Sequence, residues 1–319
     1  MIRYLPHSQI DFDRWDACIE RSVNGMFYAY SWYLNLVAPG WDALVEGDYA
    51  KVMPLPNRKK LGISYVFHPH FVQQLGVFSA GKMGVGVTEE FIKAIPQSFR
   101  FVDYPLNTYS QLKNTEGVLI KPGKTHHLDL IEPYEQILAR YSENTRRNLA
   151  KARKNAIYVT HTGRPEEIIQ AFRQNRGRSL TSFSNQDYEC LNRLIYAGMQ
   201  RGRVSLLSAY NAMNSFCAGM VIFRSHRKAV LLFTGNTAEG LKTGAMFALI
   251  DAFFKKESGT ELVFDFEGSS DPQLARFYKG FGSKECVFLQ IQLNRLPSLI
   301  LTFLKAYQHC RQIYRRGLF

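Results

Sequence analysis

The sequence has few cysteines, and they form no pairing pattern. Its 319 residues include five, none of which belongs to a Cys-x-x-Cys pair: Cys18, Cys190, Cys217, Cys286 and Cys310. A small, scattered and odd-numbered set argues against a disulfide framework and against a zinc cluster. It is typical of a protein in a reducing compartment, where most cysteines serve as small buried apolar side chains.

Long apolar runs are absent as well. Residues 299–304 form one of the longest, far below the ~20 residues that a membrane-spanning helix needs. Residues 1–7 lack the apolar centre of a secretory signal, and no heptad repeat is present. We therefore expect a cytoplasmic protein without a transmembrane helix or a long coiled-coil arm.

The histidines do not predict a metal site. His68 and His70 have the i,i+2 spacing of one strand face, but Pro69 separates them and no third ligand is close in sequence. His126 and His127 are adjacent, so on a strand they would point to opposite faces. We interpret both pairs as structural or substrate-lining residues.

Positive charge is abundant and clustered. The formal net charge is +13, with 46% hydrophobic and 21% charged residues, which is the composition of a soluble globular protein. Residues 140–154 carry six basic side chains against Glu143 alone, and no acidic residue follows position 290. This favours an anionic partner: the phosphates of CoA or a nucleotide, an aminoacyl-tRNA, or an anionic membrane surface. We expect no DNA partner.

Hydrophobic periodicity is clearest in the second part of the chain. Residues 133–154 predict one basic amphipathic helix, with Ser142 capping its C-terminal half. The pattern that follows predicts a strand, two helices, three antiparallel strands, a helix, a strand, a helix and a strand: 157–160, 165–173, 185–201, 204–210, 217–223, 229–235, 244–256, 261–266, 272–279 and 285–293. The first part alternates short strands and helices, so the fold class is α/β or α+β.

Two carboxylates and a tyrosine stand out within this pattern. Asp265 and Glu267 end a short buried strand, and alternation predicts that both lie on one face. The following helix carries Tyr278 back toward the strand end, where open α/β sheets usually bind ligands. A base candidate and an acid candidate in one crevice would suit proton-coupled acyl transfer.

Short motifs then indicate a family. Ala275-x-x-Tyr278-x-x-Phe281-Gly282 resembles the signature near the C-terminus of GNAT-fold acyltransferases. Over about residues 130–290 the sequence more closely resembles the FemAB/FemX-like branch. The motifs that carry this resemblance are Ser142-x-x-x-Arg146-Arg147-Asn148-Leu149-x-Lys151-Ala152 and Asp265-Phe266-Glu267-Gly268-Ser269. The predicted order of strands and helices is also the GNAT order.

The resemblance implies an architecture of tandem GNAT-like domains with mixed central sheets. Residues 1–128 would form a degenerate N-terminal domain and residues 129–293 a C-terminal domain. Residues 294–319 would form a basic helix that packs back on the N-terminal domain, or that lies on an anionic membrane surface.

It also implies a donor site. GNAT enzymes hold the CoA pyrophosphate with backbone N–H groups at the start of the helix after the fourth strand. Gly244 matches the central glycine there, Thr243 and Ala245 flank it, and Lys242 would add a phosphate contact. The sequence departs from the family pattern at Leu241 and Met246. We expect Gly244→Asp to weaken donor binding while leaving the fold intact.

Catalytic and substrate-binding roles follow from the same resemblance. Tyr278 would protonate the leaving group, and Asp265 or Glu267 would deprotonate the acceptor amine, directly or through water. The further substrate-binding candidates are Arg146, Arg147, Lys151, Trp32 and Asn236. Arg140, Arg147, Lys151 and Lys154 would form one stripe of a helix. The lysine that the branch often has one turn after the tryptophan is replaced here by Leu36.

These observations favour a bacterial-type, GNAT-like N-acyltransferase. It would transfer an acyl group, acetyl by preference, from acyl-CoA as co-substrate to an amine of a sugar, amino acid or peptide-like acceptor. One alternative is a FemX-like aminoacyltransferase of cell-wall synthesis with aminoacyl-tRNA as donor. Another is a GNAT-like protein that binds an acidic ligand without turnover.

Overall fold

A computed structural model describes residues 1–81, 83–113, 115–179, 183–268 and 271–297. The predicted basic helix at the end of the chain lies almost entirely outside these residues. Of its beginning, Arg295 donates from its backbone N–H to the Arg100 carbonyl (2.8 Å) and from its guanidinium to the Pro96 carbonyl (2.9 Å). No helix in the described part of the chain is both long and apolar enough to span a bilayer.

The first part of the chain contains eight strands and three α-helices among its described residues. In chain order they are β1 (Ile2–Leu5), α1 (Phe12–Arg21), α2 (Ser31–Val37), β2 (Asp42–Glu46), β3 (Lys51–Leu55), β4 (Asn57–Lys60), β5 (Ile63–Val66), β6 (Phe78–Ser79), α3 (Val87–Ala94), β7 (Phe99–Pro105) and β8 (Val118–Asp129). The long strand β8 is not predicted by sequence periodicity, because its residues 118–124 include a proline, a glycine and two lysines.

The second part follows the predicted order closely. Its elements are α4 (Tyr134–Ala139), α5 (Glu143–Lys154), β9 (Tyr158–Thr160), α6 (Pro165–Gln174), α7 (Asn185–Gln200), β10 (Val204–Tyr210), β11 (Phe216–Ser225), β12 (Lys228–Asn236), α8 (Ala238–Thr243), α9 (Ala245–Glu257), β13 (Val263–Asp265), α10 (Pro272–Lys279) and β14 (Lys284–Asn294). A short 3-10 helix, Arg176–Ser179, follows α6.

The single basic helix predicted over residues 133–154 is wrong, because the chain breaks before Ser142. Ser142 caps α5 by accepting a hydrogen bond from the Thr145 backbone N–H (3.2 Å). The Ser142 backbone N–H donates to the Gly280 carbonyl (2.8 Å), which ties this break to the end of α10. Arg140 therefore lies before α5 and pairs with Glu132, so it does not extend the basic stripe of α5.

Two sheets organise the described strands. A four-stranded sheet has the order β1-β2-β3-β6, and a ten-stranded sheet has the order β4-β5-β7-β14-β8-β13-β12-β11-β10-β9. Most neighbours are antiparallel, but β5 pairs with β7, and β12 with β13, in parallel. The fold is thus mixed α/β with a mixed sheet, as predicted, and each part of the chain contributes a parallel pair.

One sheet runs through both predicted domains. The boundary at residues 128 and 129 falls at the end of β8, which pairs with both β13 and β14. Strand β14 lies between β7 and β8, so the last described strand is inserted among strands of the first part. The Phe27 ring also stacks on Phe223 of β11 at 4.7 Å between centroids. The two parts are therefore joined by backbone pairing and by packing.

Strands β12 and β13 separate soon after they pair. Their parallel register covers only Lys228–Val230 against Val263–Asp265. Strand β12 then continues for six more residues to Asn236, while β13 ends at Asp265. The separation leaves an opening in the sheet that must be lined by side chains from neighbouring helices. An opening at the carboxyl ends of parallel strands is a usual position for a ligand site.

Candidate functional site: a cleft between two separated strands

A cleft of about 680 Å³ lies where β12 continues beyond its pairing with β13. This volume is within the range of ~300–1,000 Å³ that small-molecule sites usually have. Its apolar lining comes from Phe172, Leu231, Met246, Phe247, Leu274, Phe277 and the ring of Tyr278. Its polar lining includes Asn175, Arg176, Arg178, Thr234 and Asn236. The cleft therefore has an apolar interior with cationic and amide groups beside it.

The structure places Tyr278 at this cleft, as the sequence predicts for the acid candidate. Its ring packs against Phe266, with centroids 4.7 Å apart. Burial and the neighbouring Glu267 carboxyl raise the pKa of Tyr278, so its hydroxyl keeps its proton at neutral pH. A buried phenol in this state can donate a proton to a leaving group.

Gly244 forms the junction of α8 and α9 and lines the cleft. Its φ of 79° is in the left-handed region, and a Cβ built there would lie 2.8 Å from the Asn148 carbonyl oxygen of α5. The expectation that Gly244→Asp leaves the fold intact is therefore wrong, because any side chain at this position is strained and meets backbone. Gly244 lets α9 begin at the cleft, where its first backbone N–H groups have no intrahelical acceptors.

The other donor-site candidates differ in what they expose. Thr243 is buried, and its hydroxyl donates to the Glu239 carbonyl (2.9 Å). Ala245 is fully buried, so only the backbone groups of these two residues can contact a bound acyl-donor molecule. Lys242 is exposed on α8 next to Leu241, which lines the cleft. The side-chain oxygen of Asn236 is buried at the cleft and accepts no hydrogen bond from any described residue. Asn236 is thus a polar group available to a ligand.

Asp265 is enclosed on the face of β13 opposite to Phe264 and Phe266. Its Oδ1 accepts hydrogen bonds from the Thr125 hydroxyl and from the Glu267 backbone N–H (3.0 Å). Its Oδ2 lies 3.0 Å from His127 Nε2. Burial alone would raise the pKa of Asp265, but the hydrogen bond and charge of His127, with Lys228 and Thr125, lower it, so the carboxyl is ionised.

Glu267 does not share the face of Asp265, contrary to the predicted alternation. Strand β13 ends at Asp265, and Glu267 has a φ of 54°, which interrupts the two-residue period. Burial raises the pKa of Glu267 well above its usual range. The Glu267 carboxyl raises the pKa of Tyr278 more than Asp265 does, so both carboxyls lie near that phenol. The two carboxylates therefore occupy different environments.

Sequence reasoning misses part of the polar cluster around Asp265. His127 and Thr125 lie on one face of β8, and Lys228 lies at the start of β12. The Lys228 ammonium is 5.7 Å from the centroid of Tyr109. The adjacent histidines are one sequence feature that points to this cluster, because His126 is close to Tyr278 (6.1 Å between centroids) and His127 binds Asp265. No local motif marks Thr125 or Lys228.

The basic and aromatic candidates lie away from the residues that line the cleft. Arg146 donates to the Ala139 carbonyl (2.6 Å) and borders a surface groove between α4 and α5. Arg147 donates to Asn144 Oδ1 (2.9 Å), and Lys151 is exposed. Trp32 is half-buried under the Arg201 guanidinium, 4.8 Å from its ring centroid. The roles of these four residues remain predictions.

The described residues contain no group of three or more histidine, cysteine, aspartate or glutamate side chains placed to hold a metal ion. His68 lies close to the Val72 carbonyl, and the ring of His70 packs against Phe183 (5.0 Å). Both have structural contacts.

Solved structures share this architecture. The crystal structure of FemX matches 95% of this chain and 99% of its own, with a TM-score of 0.60 and 12% identity. The C-terminal domain of a putative lysylphosphatidylglycerol synthetase from Agrobacterium fabrum matches 93% of this chain and 96% of its own, with a TM-score of 0.53 and 10% identity. The structure of L-PGS from Bacillus licheniformis matches 93% of this chain and 95% of its own, with a TM-score of 0.50 and 12% identity. No protein-family model and no curated protein matches the chain.

The chain therefore shares its fold with FemX and with these two synthetase structures. This likeness agrees with the FemAB/FemX-like resemblance of its motifs. At these identities the likeness shows the fold alone, and donor and acceptor must be argued from the site.

Proposed function

We propose that this chain is an N-acyltransferase that moves an acyl group from acyl-CoA to an amine of a sugar, amino acid or peptide-like acceptor. The observation that carries the proposal is the cleft beside the free end of β12, whose lining includes Tyr278. A thioester carbonyl held in this opening would have a protonated phenol beside its sulfur. The phenol would donate its proton as the thiolate leaves.

The cleft has the chemistry that an acyl-CoA requires. Its apolar interior suits the acyl chain and the thioester arm, while Arg176 and Arg178 lie on the 3-10 helix at its side. Arg176 is held by Asp271 at 2.8 Å, and Arg178 is exposed. The start of α9 adds unsatisfied backbone N–H groups and the positive end of a helix dipole, which favour phosphate.

The first test measures donor binding and turnover separately. Calorimetry with CoA and acetyl-CoA should show binding, and thiol release should appear when an amine acceptor is added. Arg178→Glu should weaken CoA binding by about tenfold to a hundredfold, because a hydrogen bond to a charged group contributes ~1.5–3 kcal/mol. Arg193→Glu, an exposed residue of α7 outside the cleft lining, makes the same charge change and should leave the affinity unchanged. Wild-type protein that binds neither CoA compound would contradict the donor assignment.

The exposed face of α5 favours aminoacyl-tRNA as a second candidate donor. Arg147, Lys151 and Lys154 are all exposed there, away from the cleft lining. A double reversal, Arg147→Glu with Lys151→Glu, should reduce tRNA retention at low salt if this face binds the nucleic acid backbone. The same variant should leave CoA binding unchanged. Binding of tRNA without binding of CoA would favour this candidate.

A further inference from the structure

The two carboxylates near the cleft are poorly suited to accept a proton from an acceptor amine. The side chain of Asp265 is only 1% exposed, and its oxygens already face Thr125, His127 and the Glu267 N–H. Glu267 is half-buried, and desolvation raises its pKa well above its usual range, which favours the protonated form that cannot accept a proton. A base must have a free lone pair that the substrate can reach. The acceptor side of the site therefore needs another group.

His127 is the reachable group of the Asp265 cluster. Its side chain is 18% exposed, and its Nε2 lies 3.0 Å from Asp265 Oδ2. When Nε2–H donates to the ionised carboxylate, the neutral imidazole carries its lone pair on Nδ1. A carboxylate in this position also holds the ring in orientation and stabilises the imidazolium after proton uptake.

Strand register places this pair beside the opening. Asp265 is aligned with Val230 on one side and with His127 on the other. Val230 is the last β12 residue in register with β13, and the next residue, Leu231, already lines the cleft. The backbone of the His127–Asp265 pair is thus one strand away from a residue that borders the cleft, and Asp265 is close enough to act on the pKa of Tyr278 in the cleft lining. Phe264 and Phe266, which pack with Tyr278, belong to the opposite face.

We propose that His127 accepts the proton of the attacking amine, with Asp265 as its positioning residue. The inference rests on the proposed acyl transfer. The neutral amine nitrogen forms a bond to the acyl carbon and passes one proton to His127 Nδ1. The carbon–sulfur bond breaks, and the thiolate takes one proton from Tyr278. Transfer of the His127 proton through solvent to the Tyr278 oxygen restores both groups.

Other titratable groups surround the imidazole and define the controls. They are Asp265 from β13, Lys228 from β12, Lys284 and Cys286 from β14, and Asp129 from β8. Burial lowers the pKa of Lys228 although Asp265 opposes the shift, so Lys228 is the competing base. It lies beside Tyr109 and is half-buried. A test must separate these two side chains.

The experiment measures the pH profile of acyl transfer from acetyl-CoA to a panel of amines. His127→Gln keeps an N–H that can donate to Asp265 but cannot take up a proton. Its turnover should fall by about 10²–10⁴-fold, with loss of the acid limb of the profile. Imidazole added to His127→Ala should restore part of the rate. Asp265→Asn should lower turnover while leaving the affinity for acetyl-CoA unchanged, because the carboxylate orients the imidazole. His161→Gln, an exposed residue outside the cleft lining, is the matched control.

The outcomes separate the two levels of inference. Wild-type protein that transfers no acyl group to any amine refutes the proposed function and this inference with it. If the wild-type protein is active and the acid limb of its pH profile is unchanged in His127→Gln, only the role of His127 is overturned. If the limb disappears in Lys228→Met instead, Lys228 is the base. Should His127→Gln fail to fold, as judged by thermal unfolding, absence of imidazole rescue in a folded His127→Ala overturns the proposal equally.

Discussion

Asp265 and Glu267 are two residues apart and have the same chemical group, yet their surroundings shift their pKa values in opposite directions. Asp265 is surrounded by donors, and its pKa is lowered despite burial. Glu267 is half-buried at the turn after β13, and its pKa is raised. The difference shows that position on a strand does not define a carboxylate's role, because the local donors and burial decide which form is stable.

The comparison also divides the work of the site between two faces of β13. Tyr278 lines the cleft, and its pKa is raised by the Glu267 carboxyl. The ionised Asp265 meets His127 on the opposite side of the strand. In the proposed reaction the tyrosine would act on the leaving sulfur and the histidine on the attacking nitrogen of the same substrate pair.

The largest expected effect tests the donor face. Tyr278→Phe keeps the ring that packs on Phe266 and deletes only the hydroxyl, so thermal unfolding should barely change. Turnover should fall by about 10²–10⁴-fold with donor affinity preserved, because the general acid is lost. The acid limb of the pH profile should remain, unlike in His127→Gln. Tyr196→Phe, which removes an exposed hydroxyl bonded to Glu166 at 2.7 Å, is the control.

Unfolding of Tyr278→Phe would assign the hydroxyl to stability. Full activity in a folded Tyr278→Phe would remove the tyrosine from the chemistry and break the proposed division between faces. With an aminoacyl-tRNA donor the loss should be smaller, because the leaving group is a ribose hydroxyl to which the tRNA can relay a proton. The size of the loss therefore also bears on the donor.

A smaller effect tests the ionised state of Asp265. Asp265→Asn should destabilise the protein at neutral pH by about 1–3 kcal/mol, because charged hydrogen bonds at a buried position are lost. The folded pKa is below the usual aspartate value of 3.8, so this contribution is present above that value and disappears as pH falls through the folded pKa. Denaturant unfolding should show the difference from wild type shrinking below about pH 4. Asp13→Asn, exposed in α1, should show no such convergence.

Much of the second part of the chain could be predicted because its elements have complete local signals. The helix Pro272–Lys279 begins with proline at its first position and Asp271 as its cap, and its predicted limits are those observed. The capping side chain of Ser142 indicates the start of a helix, but the sequence did not predict that the preceding helix ends before it. Tertiary contacts with Gly280 determine that break, and periodicity carries no information about them.

The site itself could be predicted only where chemistry follows the local pattern. The position of Tyr278 at the cleft follows from a strand-turn-helix unit. The partners of Asp265 come from β8, about 140 residues earlier in the chain, and their meeting depends on sheet order. The positive φ of Glu267 has no residue-type signal, since left-handed backbone usually favours glycine. These features require the three-dimensional structure.

The smallest expected effect tests the neutral state of Glu267, and it has the opposite sign from Asp265→Asn. A carboxyl with a raised folded pKa stabilises the protein below its unfolded pKa, near the usual glutamate value of 4.5, and this contribution is lost as pH rises toward the folded pKa. Glu267→Gln replaces the neutral acid by an amide of similar shape that does not ionise. The variant should therefore be close to wild type near pH 4 to 5 and gain relative stability as pH rises above about 5.

Thermal unfolding across the pH range measures this gain, with the exposed Glu116→Gln as control. Turnover of Glu267→Gln should stay near that of wild type, because the proposed acid is Tyr278 and the proposed base is His127. A variant that instead loses turnover as His127→Gln does, together with its acid limb, would make Glu267 the base. The two carboxylates would then have exchanged the roles that their surroundings indicate.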